Sequence, residues 1–159
     1  MPELDPREII EALERGPVVI VPLVREVPDH LRKRRPSQGK WSAHEHACHL
    51  AAVQPIFMER LRLMLEQDHP SIRSYQPDRE HSPDALLTVD LDEALARYQR
   101  ERTELVARLR QLRPAEWLRT GDHEEYSHYS VVIMFRHVAL HDMLHAYRIE
   151  ECLLKKEWV

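Results

Sequence analysis

Glycine is scarce in this chain, three residues in 159. Hairpin-rich β folds take glycine for their tight turns, so that architecture is disfavoured from the start. Cysteine is rarer still. Cys48 and Cys152 lie far apart in sequence, which implies no disulfide framework and makes a reducing cytoplasm the simpler setting. No apolar run approaches the ~18–20 residues of a membrane-spanning helix. The first five residues are acidic where a secretory leader would be basic and then apolar. A net charge of −4 leaves no footprint for nucleic acid, and the local run Arg32-Lys33-Arg34-Arg35 reads as a solvated helix end or loop beside Pro36. A glycine-rich phosphate loop and a nucleophile elbow are both missing, so neither P-loop chemistry nor serine–histidine–acid catalysis has support. What is left is a cytoplasmic protein of one domain, residues 1–159, without membrane or nucleic-acid partners.

Histidine, by contrast, is plentiful, with 11 residues. The stretch from Arg136 to Glu150 places His137, His141 and His145 at successive i, i+4 positions. Read as a helix, it puts His141 and His145 on one face with Met134, Val138, Ile149 and Cys152. That face is apolar and looks inward. A buried polar group costs roughly 1–3 kcal/mol unless it finds a partner. Two readings are open: separate hydrogen-bond partners for each imidazole, or a shared divalent metal, which i, i+4 histidines on one helix chelate well.

The remaining elements follow from periodicity and punctuation. Residues 5–14 give a short amphipathic helix stopped by Gly16-Pro17, and a second helix runs from Val18 to Leu31 with Val18, Val21, Val24 and Leu31 on its apolar face. Ser42 with Glu45 makes a capping box. Behind it His49, Leu50, Val53, Ile56, Phe57, Leu61, Met64 and Leu65 form one stripe, with Pro55 as an interior kink. Residues 66–89 are polar and proline-marked, a long crossing connection with room for a short helix at 83–88. Asp90 caps a helix that buries Leu95, Tyr98, Leu105 and Leu109 and stops at Pro114; Pro114 to Trp117 is a helical turn. A polar loop covers 119–129, and the last helix spans about 130–155. The architecture predicted is all-α, a four-helix bundle with a long crossover connection.

His49 joins His141 and His145 as the third core-facing imidazole, and bundle metal sites are built from such facing side chains. Three imidazoles leave a fourth position for water or substrate. Ligand type alone admits zinc, nickel, iron or manganese. The run His44-Glu45-His46-Ala47-Cys48-His49 is not a zincin motif, because Cys48 stands where the second histidine belongs. His44 and His46 sit near the helix start, partly solvated; His137 flanks the site or substitutes for His141. Cys48 turns away from the stripe, and His69, His81, His123 and His128 are loop residues assigned to the surface. Glu45, Glu59 and Asp142 are candidate acceptors for an imidazole N–H or, more simply, exposed helix charges.

Three motifs carry a family resemblance. Trp41 to Leu50 resembles the "WS…E…HL" start of the second helix in DinB/YfiT-like proteins, His137 to Ile149 resembles their "H…HD..H…I" closing helix, and Gly121 to Tyr126 resembles the "G…HPEYG" segment before it. The resemblance spans about residues 20–155. It implies a four-helix bundle with a three-histidine divalent metal site, often zinc or nickel, and frequent homodimers. Some relatives join a low-molecular-weight thiol to an electrophile, others are related to maleylpyruvate isomerase, and many have no known activity. Carried over residue by residue, the ligands fall on His49, His141 and His145. Tyr147-Arg148 departs from the commoner pattern and leaves the substrate open. The functional expectation is a metal-dependent transferase of thiol S-transferase type, or a hydrolase, acting on a small molecule, with Tyr126 or Tyr129 at the mouth of the site. The alternative is a non-catalytic, stress-related module that binds metal or a small ligand.

Overall fold

The computed structural model describes residues 4–156. Most of the N-terminal segment read above for a leader lies outside them. Four long helices dominate. Helix α1 spans Pro6–Glu26, and a single turn, α2, Asp29–Arg32, follows it. Helix α3 spans Ala43–Glu66. The crossover that follows holds a two-residue strand β1 (Ser71–Ile72), a turn of helix α4 (Pro77–Glu80) and a 3-10 turn at Ala85–Thr88. Then come α5 (Leu91–Arg110), the turn α6 (Pro114–Trp117), strand β2 (Asp122–His123) and α7 (Val131–Leu154). Helices α1 and α3 each pack against both α5 and α7 and meet one another less, so they lie across a diagonal of the bundle. The all-α four-helix bundle predicted from periodicity is the fold observed.

Helix starts follow the expected caps. Ser42 Oγ accepts from Glu45 N–H while the Glu45 carboxylate accepts from Ser42 N–H, closing the capping box. Asp90 accepts from Glu93 N–H, and Ser130 accepts from Ile133 N–H.

Gly16-Pro17 does not stop a helix; α1 runs through it and through Pro22. A proline inside a helix leaves the carbonyl four residues earlier without its donor. For Pro17 that carbonyl belongs to Leu13, and Arg102 Nη1 from α5 donates to it at 2.8 Å. For Pro55 in α3 it belongs to Ala51, and Arg97 Nη2, also from α5, donates at 3.2 Å. Pro22 frees the carbonyl of Val18, a residue that is 72 % exposed and not on the buried face the sequence suggested; Ile20 and Val24 hold that place. Arg32 ends α1 by donating to the carbonyls of Val24 and Arg25.

The apolar core has two clusters, one around Leu13, Met64, Leu105 and Phe135, the other around Ile20, Leu50, Leu95 and Ile149. A buried polar knot separates them. Arg102 binds Asp142 through Nη1 at 2.5 Å and Nη2 at 3.1 Å, Tyr98 Oη donates to Asp142 at 3.1 Å, and Gln54 Oε1 accepts from Arg102. Gly16 gives this knot its space: a Cβ there would collide with Asp142 Oδ2 and stand 2.9 Å from Arg102 Nη1 and 3.0 Å from Tyr98 Oη.

Strands β1 and β2 pair in parallel, Ser71 with Asp122 and Ile72 with His123, and so tie the crossover to the loop before α7. Neither strand was expected. Both are too short to show alternation, and their pairing joins segments about fifty positions apart. The 3-10 turn falls within the 83–88 window.

Candidate metal centre

The capping box fixes the start of α3 so that His46 and His49, one turn apart, share its inner face. His141 and His145 are one turn apart on α7, and α3 packs against α7. The imidazoles of His49, His141 and His145 converge. His49 Nε2 lies 3.1 Å from His141 Nε2, His145 Nε2 lies 3.0 Å from the same atom, and the three residues' candidate ligand atoms all fall within 4.8 Å of one another. Among the described residues this is the one set of three or more such donors gathered so closely. His137 is exposed and stacks 6.4 Å from His141 without joining the group.

Proton counting tests whether imidazoles alone satisfy this arrangement. Each neutral ring has one N–H and one lone pair. If His49 and His145 both donate to His141 Nε2, two protons compete for one lone pair, and the N–H of His141 moves to Nδ1, which is buried without a partner. If His141 Nε2 carries the proton, it serves one neighbour and faces the other with nothing. A cation between the rings would accept all three lone pairs at once, with the His141 proton still on Nδ1. For tetrahedral zinc with nitrogen ligands at ~2.0–2.1 Å, neighbouring nitrogens stand about 3.3 Å apart, near the two separations to His141 Nε2, while the third pair is wider, within 4.8 Å. The donor set fits a divalent ion.

His46 supplies what the sequence reading sought among carboxylates. It is buried, not solvated, and its Nδ1 lies 2.8 Å from His145 Nδ1. With an ion on the His145 Nε2 lone pair, His145 Nδ1–H would donate to His46 Nδ1 and the ring would be held in that tautomer. The three carboxylates considered earlier are occupied elsewhere. Glu45 is buried but bound by Arg35 and its own helix start, Asp142 is buried in the knot with Arg102, and Glu59 is exposed and paired with Arg62. Trp41 covers the group, its ring centroid 4.8 Å from that of His49 and 6.0 Å from that of His145.

Burial dominates the protonation of the cluster. It pulls the pKa of His49 down to about 3, His141 and His46 to about 4, and His145 to about 2, with neighbouring imidazoles adding to the shift at His49 and His145. The rings are therefore neutral at ordinary pH. In the unfolded chain the same histidines take up protons near 6.5, so the unfolded state binds more protons below that value. Stability is fully present above pH 6.5 and is lost as pH falls toward the folded values, at up to about 1.4 kcal/mol per pH unit for each such histidine. Urea midpoints of the metal-free chain are expected to drop steeply between pH 6.5 and 4. A flat profile there would show that the rings are not held neutral.

A cavity of about 320 Å³ opens beside the cluster, lined by all three histidines and by Trp41, Phe57, Arg60, Tyr126, Tyr129 and His137. Tyr129 is buried in its wall and Tyr126 half-exposed at its mouth. His123, assigned to the surface from its loop context, is buried, because β1 pairing draws it in; its ring lies 4.6 Å from both Tyr126 and Tyr129. A larger groove of about 830 Å³ runs along the outside of α7 and touches the cluster only through Trp41 and His46. His44 is buried on another side, where Nε2 meets the Leu86 carbonyl at 3.1 Å and holds the crossover. Cys48 lies in the second apolar cluster, its thiol pushed up to about 12 by burial, and takes no part. His69, His81 and His128 are exposed.

A family model described as the DinB superfamily matches residues 12–149. The chain belongs to the DinB superfamily. Among solved structures, this DinB chain is similar to YfiT from Bacillus subtilis, with 22 % identity and a TM-score of 0.85 over 96 % of this chain and 87 % of that one. YfiT is described as a probable metal-dependent hydrolase with an unusual four-helix bundle topology. No curated protein matches the chain. The DinB fold and the three-histidine cluster together suggest a divalent metal, without naming which. No described helix is long and apolar enough to cross a membrane.

Proposed function

We propose that this chain is a divalent-metal-dependent enzyme acting on a small molecule, a hydrolase or a thiol S-transferase, with His49, His141 and His145 holding zinc or nickel. The observation that carries this reading is the meeting of three imidazole Nε2 atoms, two of them facing the single Nε2 of His141, where the rings' own protons satisfy only one of the two contacts. A cavity opening onto the same three rings favours turnover over a closed, purely structural centre. The description given to YfiT agrees with the hydrolase form.

Such an ion would lower the pKa of a bound water or thiol and so supply a nucleophile at neutral pH. The chain's own groups do the rest. With the ion on His145 Nε2, His46 Nδ1 would accept from His145 Nδ1–H and fix that ring. Trp41 keeps bulk water off the histidines. His137, its pKa lowered by partial desolvation and by the nearby Arg60 charge, presents a neutral imidazole to the cavity beside His141.

The test is metal content of the purified, untagged chain by inductively coupled plasma mass spectrometry, beside His49→Ala and His141→Ala. Near-stoichiometric zinc or nickel lost in both variants is expected, followed by turnover in a screen of esters, amides and thiol–electrophile pairs. A folded protein that refuses added zinc and nickel overturns the reading. Bound metal without turnover leaves the binding module.

A second copy of the chain fits the outer face of α7. Leu140, Met143, Leu144, Tyr147 and Leu154 are 50–66 % exposed along it. That is an apolar stripe at helical spacing, and Val18 and Val19 are exposed on neighbouring α1. Light scattering is expected to give twice the 18.9 kDa chain mass, and a Leu140→Glu, Met143→Glu chain to be monomeric. A monomeric parent overturns this assignment.

A further inference from the structure

Arg60 is a buried cation without an anion. It is only 9 % exposed, and no carboxylate among the described residues lies within ion-pair distance of it. Its Nη1 donates to Tyr129 Oη at 3.0 Å and its Nη2 to the Arg73 carbonyl at 2.8 Å, while Phe57 packs against the guanidinium face, 5.4 Å from centroid to Cζ. These contacts hold the group still and use two of its five N–H donors. A buried charge left this way is costly unless something neutralises it. The other buried arginine, Arg102, has its aspartate; Arg60 has a cavity, the same one that opens onto His49, His141 and His145. Glu125 lines that cavity too, but it is solvent-exposed, makes no ion pair with Arg60, and its Oε1 accepts from Gln76.

We propose that the missing anion is the carboxylate of the substrate, so that the enzyme proposed above acts on a small carboxylic acid whose charged end is held by Arg60 and Tyr129. Three features select this class. The guanidinium fork matches the planar carboxylate in two parallel hydrogen bonds. Tyr129 Oη, already accepting from Arg60, has its own proton to give to a carboxylate oxygen. Much of the remaining wall is apolar or aromatic, with Val53, Phe57, Tyr75 and Tyr126, and so fits a flat, uncharged body behind the negative charge.

The assignment rests on the metal reading for its chemistry but not for its test. Benzoate, benzamide and inorganic phosphate are titrated by calorimetry into the parent chain with and without zinc, and into Arg60→Gln, Tyr129→Phe and His141→Ala. Benzoate is expected to bind saturably and to weaken about tenfold or more in Arg60→Gln, and measurably in Tyr129→Phe, which keeps the ring and its contacts. Benzamide binding is expected to be weak and indifferent to Arg60. Benzoate binding that ignores Arg60 and Tyr129, or phosphate preferred over benzoate through Arg60, overturns the proposal. If Arg60→Gln fails to fold, Tyr129→Phe decides. Arg60-dependent benzoate binding in a chain that takes up no zinc leaves the carboxylate site standing and removes the metal; zinc uptake with indifference to Arg60 does the reverse.

Discussion

Asp142→Ala is expected to destabilise the chain by about 3–5 kcal/mol, the range for breaking a buried ion pair on one side. Asp142 and Arg102 are 2 % and 3 % exposed, so water cannot take over when the carboxylate goes. Arg102 would keep the Leu13 carbonyl and Gln54, but no negative charge. Tyr98 Oη would lose its acceptor in the same step. Urea denaturation at pH 7 measures the loss. The double change Arg102→Met, Asp142→Leu should cost much less than Asp142→Ala, because it removes both charges and fills the space with apolar atoms. A loss under about 1 kcal/mol for Asp142→Ala would place the pair with ordinary surface salt bridges and contradict its burial.

Zinc affinity should fall in two steps of different size. His46→Ala keeps all three converging nitrogens and removes only the acceptor for His145 Nδ1–H; losses at such outer positions run roughly 10–100-fold. His141→Ala removes the nitrogen that both other rings face, and its loss should exceed that range. Competition with a chromophoric chelator resolves the two. Equal affinity in His46→Ala and the parent would deny His46 its orienting role. Metal kept in His141→Ala but lost in His137→Ala would move the site one turn along α7, the other assignment that helical spacing allowed.

The helices and three of the imidazoles were legible because their signals are local. A capping box at Ser42 and Glu45, stripes at 3.6-residue spacing, and His141 with His145 one turn apart all sit within a few residues of one another. What failed depended on distant partners. Gly16-Pro17 carries every local mark of a helix end, and the helix continues because Arg102, 89 positions beyond Leu13, takes the freed Leu13 carbonyl. Glu45 and Asp142 look like exposed helix charges until Arg35 and Arg102 are placed against them. His123 looks like a loop histidine until Ile72 pairs with it. For His46 the signal was there, since it precedes His49 by three residues on the same helical face; proximity to the helix start argued for solvent, and Trp41 supplies the cover instead.

Pro17 inside α1 and Pro55 inside α3 have a consequence for alignment along the bundle axis. Helices packed by apolar ridges alone can slip by a turn, about 5.4 Å, and still bury similar surfaces. A bare carbonyl opposite an arginine does not tolerate such a slip. Leu13 against Arg102 sets the height of α1 on α5, Ala51 against Arg97 sets that of α3, and Asp142 against Arg102 sets that of α7. The level at which His49 meets His141 and His145 is thus gauged from α5, a helix that lends no side chain to the cluster or to its cavity.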